Sequence, residues 1–406
     1  MKFFGWLSRL SLPKQILLAV MGGLLLGVLF PDAAMKPLSE LGKLIIHWVK
    51  LIAGPFLFLT IIASVVQVRL SLGHGARLVA IAFLNTTIAI GIGMGLASVF
   101  LGNVQIATLA QPLDHQTPAA THLNLSHWMK TFMPPSLFHP FVNNEILLIA
   151  ILALVTGIAL REVYGHEGQG RLEELSQACE RWRAIPGAVL HWLIAIIPLA
   201  VLTVVAGSVS EHGLEVFAVL FRYVLVVILG LTLQVILVYG TWIFLVARIS
   251  PRRFWQAAKA PILYSFGVNS SLATLPLTLR SLKTLGVSDR SSSLGAGVAT
   301  NLNNDGIVLY EAMAVFFVAQ LSHVPLSEAQ MVAAALACIV ASMGITGIPE
   351  AGFISLSVVI STMGLPAEAL PLLLAVDWII ARLRSVVNVL SDMTLSIALD
   401  ATERSH

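Results

Sequence analysis

The chain has 406 residues, 57% of them hydrophobic and only 11% charged, with a formal net charge of +3 and a mean hydropathy of +0.88. A soluble domain carries about 25% charged residues, so this composition cannot cover an apolar core with polar surface and excludes a soluble globular enzyme, a disordered chain and a nucleic-acid binder. The unit of organisation is instead the membrane span, a helix of about 20 apolar residues.

The N-terminus carries Lys2 and Arg9, and the apolar run behind them lacks a small-residue cleavage site and continues for a full membrane thickness, so a retained span is expected. Apolar runs lie at 15–30, 43–68, 78–101, 145–160, 186–208 and 215–247, the last long enough to cross with a tilt. Basic residues alternate between the connections. Lys2, Arg9 and Lys14, then Arg69 and Arg77, then Arg161, Arg171, Arg181 and Arg183, then Arg248, Arg252, Arg253 and Lys259 fall on one side. The 102–144 loop holds only Lys130, and 209–214 holds none. This pattern places both termini in the cytoplasm; Lys36 and Lys43, in the first outer loop, depart from it. His115, His122, His127 and His139 of the outer loop are irregularly spaced and read as solvated histidines rather than a metal site. Cys179 and Cys338 have neither metal spacing nor a disulfide framework, and Cys338 reads as a small buried hydrophobe.

Beyond Arg248 the apolar segments are short and broken by Gly, Pro, Ser and Asn. Such segments are tolerated at membrane depth only where they are buried in protein or line a cavity, and a pair of them points to a transporter with discontinuous helices. The segments 257–280, turning near Ser271, and 330–362, turning near Ile348 and Pro349, fit two re-entrant hairpins. Two fuller spans remain at 294–321 and 366–399.

The final span contains Asp377, Arg382, Arg384, Ser385, Asn388, Ser391 and Asp392. Intramembrane charges are costly and are functional suspects by default. Arg384, Asn388 and Asp392 stand at i, i+4 and i+8 on one helix face, with Asp377 near it. A guanidinium beside an amide and a carboxylate suits a charged substrate with a coupling cation; the alternative is that Arg384 and Asp392 neutralise each other structurally. In the preceding span, Asn301, Asn303, Asn304, Asp305 and Gly306 cannot sustain a regular helix. Their oxygens and freed carbonyls would make a hard-cation site for sodium or protons, or a polar kink satisfied by neighbouring helices. Glu311 is a proton-carrying group by chemistry, or a hydrogen-bonded structural acid.

These motifs resemble the dicarboxylate/amino acid:cation symporter family, which includes the excitatory glutamate transporters and the bacterial C4-dicarboxylate carriers. The resemblance runs from about residue 12 to 400 and is specific in the last 150 residues. It is carried by Ser270-Ser271-Leu272-Ala273-Thr274-Leu275-Pro276, by Asn303-Asn304-Asp305-Gly306-Ile307, by Gly347-Ile348-Pro349-Glu350-Ala351-Gly352, and by Asp377-Trp378 through Asp392. It implies an all-α polytopic membrane protein with eight transmembrane helices and two re-entrant hairpins in a glutamate-transporter-like elevator fold. The protein would be a homotrimer in the lipid bilayer, in a bacterial inner (plasma) membrane. Scaffold spans would occupy 1–77 and, with the outer loop, 102–208. The transport part would comprise 78–101, 215–247 and a core over 257–399.

The same resemblance implies that Arg384 pairs with a substrate side-chain carboxylate, that Asn388 helps hold the substrate's main carboxylate and amine end, that Ser271 contacts that carboxylate, and that Ser385, Ile307, Ala381 and Gly347 line the pocket. Asp392 and Asn303 match ligands of one sodium, Asp305 with Thr86 and Thr87 those of another, and Asn301 falls near a third, gate-side position. Glu311 matches the acid of proton-using members, and Ile348, Pro349 and Glu350 form the gate tip. Na+ and/or H+ would be the coupling ions. Several positions depart from the family pattern. Ala381 stands where amino-acid carriers hold an ammonium-binding Asp, Ile307 replaces a threonine, Asn304 a methionine, and Glu350 a small or amide residue. A buried ammonium without its carboxylate partner is heavily penalised, which favours a dicarboxylate substrate. Two readings stand beside it: an amino-acid symporter whose ammonium partner is Glu350 or Asp377, and a channel or sensor on this fold. The serine-rich tip lacks a nearby His or Lys base, which argues against an intramembrane enzyme.

Overall fold

The structure, a computed structural model, describes residues 12–30, 32–67, 72–101, 136–142, 146–165, 169–213, 215–298, 300, 303–322, 324–343, 351–366 and 369–404. Among the described residues there are helices and no strand. The helices are α1 (Leu12–Leu29), α2 (Asp32–Gln67), α3 (Leu72–Leu101), the short α4 (His139–Val142), α5 (Ile146–Gly165), α6 (Gln169–His212) and α7 (Glu215–Leu233). The chain continues from α7 through two π-helical stretches, Gln234–Tyr239 and Thr241–Val246. Then come α8 (Pro251–Val268), α9 (Ser271–Leu285), α10 (Asp289–Ser292) with a π turn at Ser293–Val298, α11 (Asp305–Leu321), α12 (Glu328–Met343), α13 (Ala351–Thr362) and α14 (Leu370–Arg404). Three of the four outer-loop histidines lie outside the described residues; His139 opens α4.

Large apolar side chains point outward on α1, α3 and α7: Leu25, Phe83, Val99 and Phe221 are all at least 60% exposed. In water such a surface would aggregate; against lipid it is the favourable arrangement. Among the described residues, two stretches are long and apolar enough to cross a membrane, Ala76–Leu101 and Ala218–Val246. A bent pair inside α6, Glu173–Leu193 and Ala195–Ser210 at 42°, makes a third when taken as one span. The bend follows from Pro198, which has no N–H for the carbonyl of residue 194, four positions earlier. The remaining helices expected to cross are shorter, or carry charges that dilute their apolar character, as α14 does.

Two boundaries differ from the sequence reading. The charged segment 169–185, read as a loop, is the start of the 44-residue α6. Its charges pair along the helix, exposed Arg171 with Glu174 and half-buried Arg183 with Glu180, and i,i+3 pairs favour a helix over a loop by about 0.2–0.5 kcal/mol each. The segment 32–42 is likewise helical, as the opening turns of α2.

α1 and α2 lie along α6, with glycine allowing close approach: a Cβ on Gly23 would be 2.7 Å from the Leu202 carbonyl oxygen, and one on Gly27 would be 2.6 Å from that of Ala206. α11 is sandwiched between α3 and α14 and is buried along nearly its whole length. The first hairpin is α8 and α9, which pack on each other and on α14. It turns at Asn269, held at φ 53° and ψ 45°, a left-handed conformation that Asn tolerates better than most residues. Ser270 caps α9, its hydroxyl accepting from the Ala273 N–H at 3.2 Å. α12 and α13 form the arms of the second hairpin region; the stretch between them, including Gly347, Ile348, Pro349 and Glu350, lies outside the described residues. Between the π turn ending at Val298 and α11 starting at Asp305 the described residues leave the α conformation, and Asn303 and Asn304 are non-helical.

Candidate functional site

The polar side chains of α11 and α14 meet in the interior. Arg384 is 3% exposed and forms a buried ion pair with Asp377, its Nη2 lying 2.8 Å from Oδ1 and 3.0 Å from Oδ2. Seven residues are two helical turns, so the pair closes along one face of α14. The guanidinium carbon lies 4.0 Å from the centre of the Tyr310 ring, and α13 passes over it. A Cβ on Gly352 would sit 2.6 Å from that carbon and 2.7 Å from Nη2, so a larger residue there would displace the guanidinium. Arg384 is thus clamped between an anion, a π face and a bare stretch of backbone. Its ionic partner is Asp377, not Asp392. Arg382, two residues away and half-buried, instead donates to the Trp378 carbonyl of its own helix at 2.6 Å.

One turn on, Asn388 Oδ1 accepts from the Gly306 N–H at 2.9 Å. A Cβ on Gly306 would lie 2.9 Å from the Arg384 carbonyl oxygen, so this crossing requires glycine. Asp392 accepts from the Thr300 hydroxyl at 2.8 Å through Oδ2, while its Oδ1 is buried with no hydrogen-bond partner. Asn303 donates through Nδ2 to the Ser391 hydroxyl at 2.8 Å, and its Oδ1 is likewise buried and unpartnered. Two buried acceptor oxygens of this kind fit a bound cation.

Asp305 is different. Thr86 donates to its Oδ1 at 2.8 Å, and Oδ2 receives Ser391 at 2.6 Å, Tyr239 at 3.0 Å and Gln234 at 3.4 Å. Protein donors therefore satisfy both oxygens. Gln234 also donates to the Asn85 carbonyl at 3.3 Å, and Trp242 Nε1 to Asn85 Oδ1 at 2.8 Å. Thr87 does not join this cluster: its side chain is exposed and its hydroxyl donates to the Phe83 carbonyl at 2.7 Å. Adjacent residues on a helix point about 100° apart, so one threonine of the pair faces α11 and the other faces away.

Ser385 is half-buried and donates to Asn269 Oδ1 at 2.8 Å, tying α14 to the first hairpin turn. Ser271 is half-buried at the first position of α9. Ala381 and Ile307 are buried beside these groups in sequence, at 4% and 9% exposure. Glu311 is fully buried, and neither of its oxygens has a hydrogen-bond partner among the described residues; Ser355 of α13 lies near it. Asn301 and the tip residues Gly347, Ile348, Pro349 and Glu350 lie outside the described residues. Sequence reasoning missed Gln234, Tyr239, Trp242 and Asn85. A glutamine inside an otherwise apolar run was the available signal, and the π-helical geometry that turns Gln234 and Tyr239 onto one carboxylate was not legible.

The chain matches the family described as "Sodium:dicarboxylate symporter family" over residues 12–402. It is 33% identical over 250 residues to excitatory amino acid transporter 3 of Oryctolagus cuniculus, covering 61% of this chain and 47% of that protein. It is 34% identical over 232 residues to excitatory amino acid transporter 1 of Bos taurus, covering 55% and 42%, and 32% identical over 270 residues to neutral amino acid transporter B(0) of Bos taurus, covering 64% and 49%. The matches span about half the length of these relatives. Family and relatives alike are transporters, not enzymes. With the motifs of α9, α11, α13 and α14 and a match running over nearly its whole length, the chain belongs to the sodium:dicarboxylate symporter family.

Proposed function

We propose that this protein is a secondary active symporter that couples Na+ and/or H+ gradients to uptake of a small organic anion, a dicarboxylate, by elevator-type alternating access. It works as a homotrimer in a bacterial inner membrane with both termini cytoplasmic. α1, α2, α5 and α6 are the scaffold, and α3, α7 and everything after it move with the substrate. The observation that carries the reading is the buried guanidinium of Arg384, held by Asp377 two turns before it, with Ala381 and no carboxylate one turn before it. Arg384 binds one carboxylate, and Asn388 and Ser271 take the other. Asn303 and Asp392, each with an unpartnered buried oxygen, hold a sodium ion. Asp305 with Thr86 marks a second ion position, one already satisfied by protein donors. Glu311 carries a proton, and α12 and α13 bear the gate.

The names of the relatives favour a second reading, an amino-acid symporter. Asp377 is an unsuitable ammonium partner because both its oxygens already face Arg384; Glu350 is the remaining candidate. Uptake of labelled succinate and aspartate into proteoliposomes, with and without a sodium gradient and at two pH values, separates the two. Concentrative succinate uptake with aspartate ineffective is the expected result. Aspartate uptake abolished by Glu350→Gln would replace it with the second reading. In Glu311→Gln, succinate uptake should lose its pH dependence; an unchanged pH profile removes Glu311 from proton coupling.

A further inference from the structure

Two carboxamides between α11 and α14 have orientations fixed from both ends by backbone groups. The Gly306 N–H can only donate, so the Asn388 atom that meets it at 2.9 Å is Oδ1. Asn388 Nδ2 then faces Asn304 and donates to its Oδ1 at 3.3 Å. That leaves Asn304 Nδ2 to donate to the Ser342 carbonyl at 2.9 Å, a group that can only accept. The order Gly306, Asn388, Asn304, Ser342 has no flipped alternative. Ser342 sits in the last turn of α12, where helix carbonyls lack an intrahelical donor. Asn304, Asn388 and Ser342 are all buried, at 2%, 4% and 2% exposure, so each broken link would strand a polar group away from water.

We propose that Asn304 is a positioning residue. It holds the Asn388 amide with its oxygen on the Gly306 N–H and its Nδ2 on Asn304, and joins that amide to the first arm of the second hairpin. This rests on the carrier reading above and deepens it. Asn388 Nδ2 uses one hydrogen on Asn304 and keeps its second for a substrate carboxylate, beside the Arg384 guanidinium, which Asp377 already holds. The Asn388 oxygen is engaged by Gly306, and Ala381 supplies no acceptor at all. A site with this polarity selects a substrate with two carboxylates and no ammonium group. It also ties substrate recognition to the end of α12, so a change in the Asn388 amide is felt by the gate hairpin.

The test uses the full chain with two substitutions. Asn304→Leu removes both links at similar volume; Asn304→Asp keeps an acceptor for Asn388 and removes the donor to Ser342. Succinate is the probe, with aspartate as competitor. Asn304→Leu is expected to raise the succinate KM about 3- to 10-fold, the value of one or two neutral hydrogen bonds, and to narrow the preference for succinate over aspartate several-fold. Asn304→Asp should retain the preference. In both variants, amide hydrogen exchange over 336–343 should quicken without substrate. A purely structural role would lower thermal stability and leave the preference intact. An unchanged KM and preference in Asn304→Leu, or unchanged exchange over 336–343, overturns the proposal. If neither variant folds, the unsubstituted protein decides: succinate should slow exchange at 339–343 more than at 328–332, and an equal effect overturns it. If the unsubstituted protein takes up no dicarboxylate, the carrier reading fails, while the exchange rates still report on the relay.

Discussion

The contact of α1 and α2 with α6 and the contact of α11 with α14 solve the same problem by opposite means. Lipid tails are as apolar as leucine, so helices inside a membrane gain little from burying apolar surface against one another. The first contact relies on proximity: Gly23 and Gly27 bring backbones close enough that a single methyl group would collide with a carbonyl. The second relies on directional bonds: an ion pair, a carboxylate with four donors, and an amide chain. Close packing of smooth faces holds helices together without fixing what they bind. Directional polar bonds fix individual atoms, which is what recognition of a charged solute requires.

The largest expected effect falls on the polar contact. Arg384→Ala should abolish uptake and lower the melting temperature, because it leaves Asp377 as an uncompensated buried charge, a loss of about 3–5 kcal/mol. Adding Asp377→Asn should recover much of the melting temperature and none of the uptake. A double variant that stays as unstable as the single one would show that Asp377 is not the partner that matters. The smooth contact should respond in the reverse way. Gly27→Val should destabilise by about 1–3 kcal/mol through overpacking, read as a lower melting temperature, with the substrate KM of the folded fraction unchanged. A shifted KM would mean the two contacts are coupled. Smaller still is the loss of one donor to Asp305. Tyr239→Phe or Thr86→Ala should each weaken apparent sodium affinity by a few-fold, in line with about 1 kcal/mol per hydrogen bond. Thr87→Ala should leave sodium dependence within error, since its hydroxyl serves its own helix; an equal effect of the two threonine variants would contradict the inward placement of Thr86 alone.

Much of this was legible in the sequence because it lies along single helices. The seven-residue spacing of Asp377 and Arg384, and the four-residue steps to Asn388 and Asp392, put these groups on one face of α14 by periodicity alone. The asparagines before α11 predicted an interruption that Asn303 and Asn304 make, whereas Asp305 and Gly306, read as part of it, form the first turn of the helix. What was hidden depends on partners distant in sequence or on local geometry without a periodic signal. Thr86 and Thr87 are chemically alike in an apolar span with no polar face, so periodicity could not choose between them. Gln234 and Tyr239 converge on one carboxylate from a π-helical stretch, which shifts the phase that a 3.6-residue period assumes. The helical start of α6 was hidden for another reason: its charges resemble a loop until they are seen to pair three residues apart.

The charge content of α14 has a consequence for how the protein is made. Asp377, Arg382, Arg384 and Asp392 lie within one helix, and each charge at the centre of an isolated span opposes insertion by about 2.5–3.5 kcal/mol. The Arg384–Asp377 pair relieves part of this within the helix itself, but Asp392 finds its donor on Thr300, ahead of α11. α14 is therefore poorly able to enter the bilayer alone. It is received by the segments that precede it, so its membrane integration is a cooperative event, completed only when α14 meets the polar turn before α11.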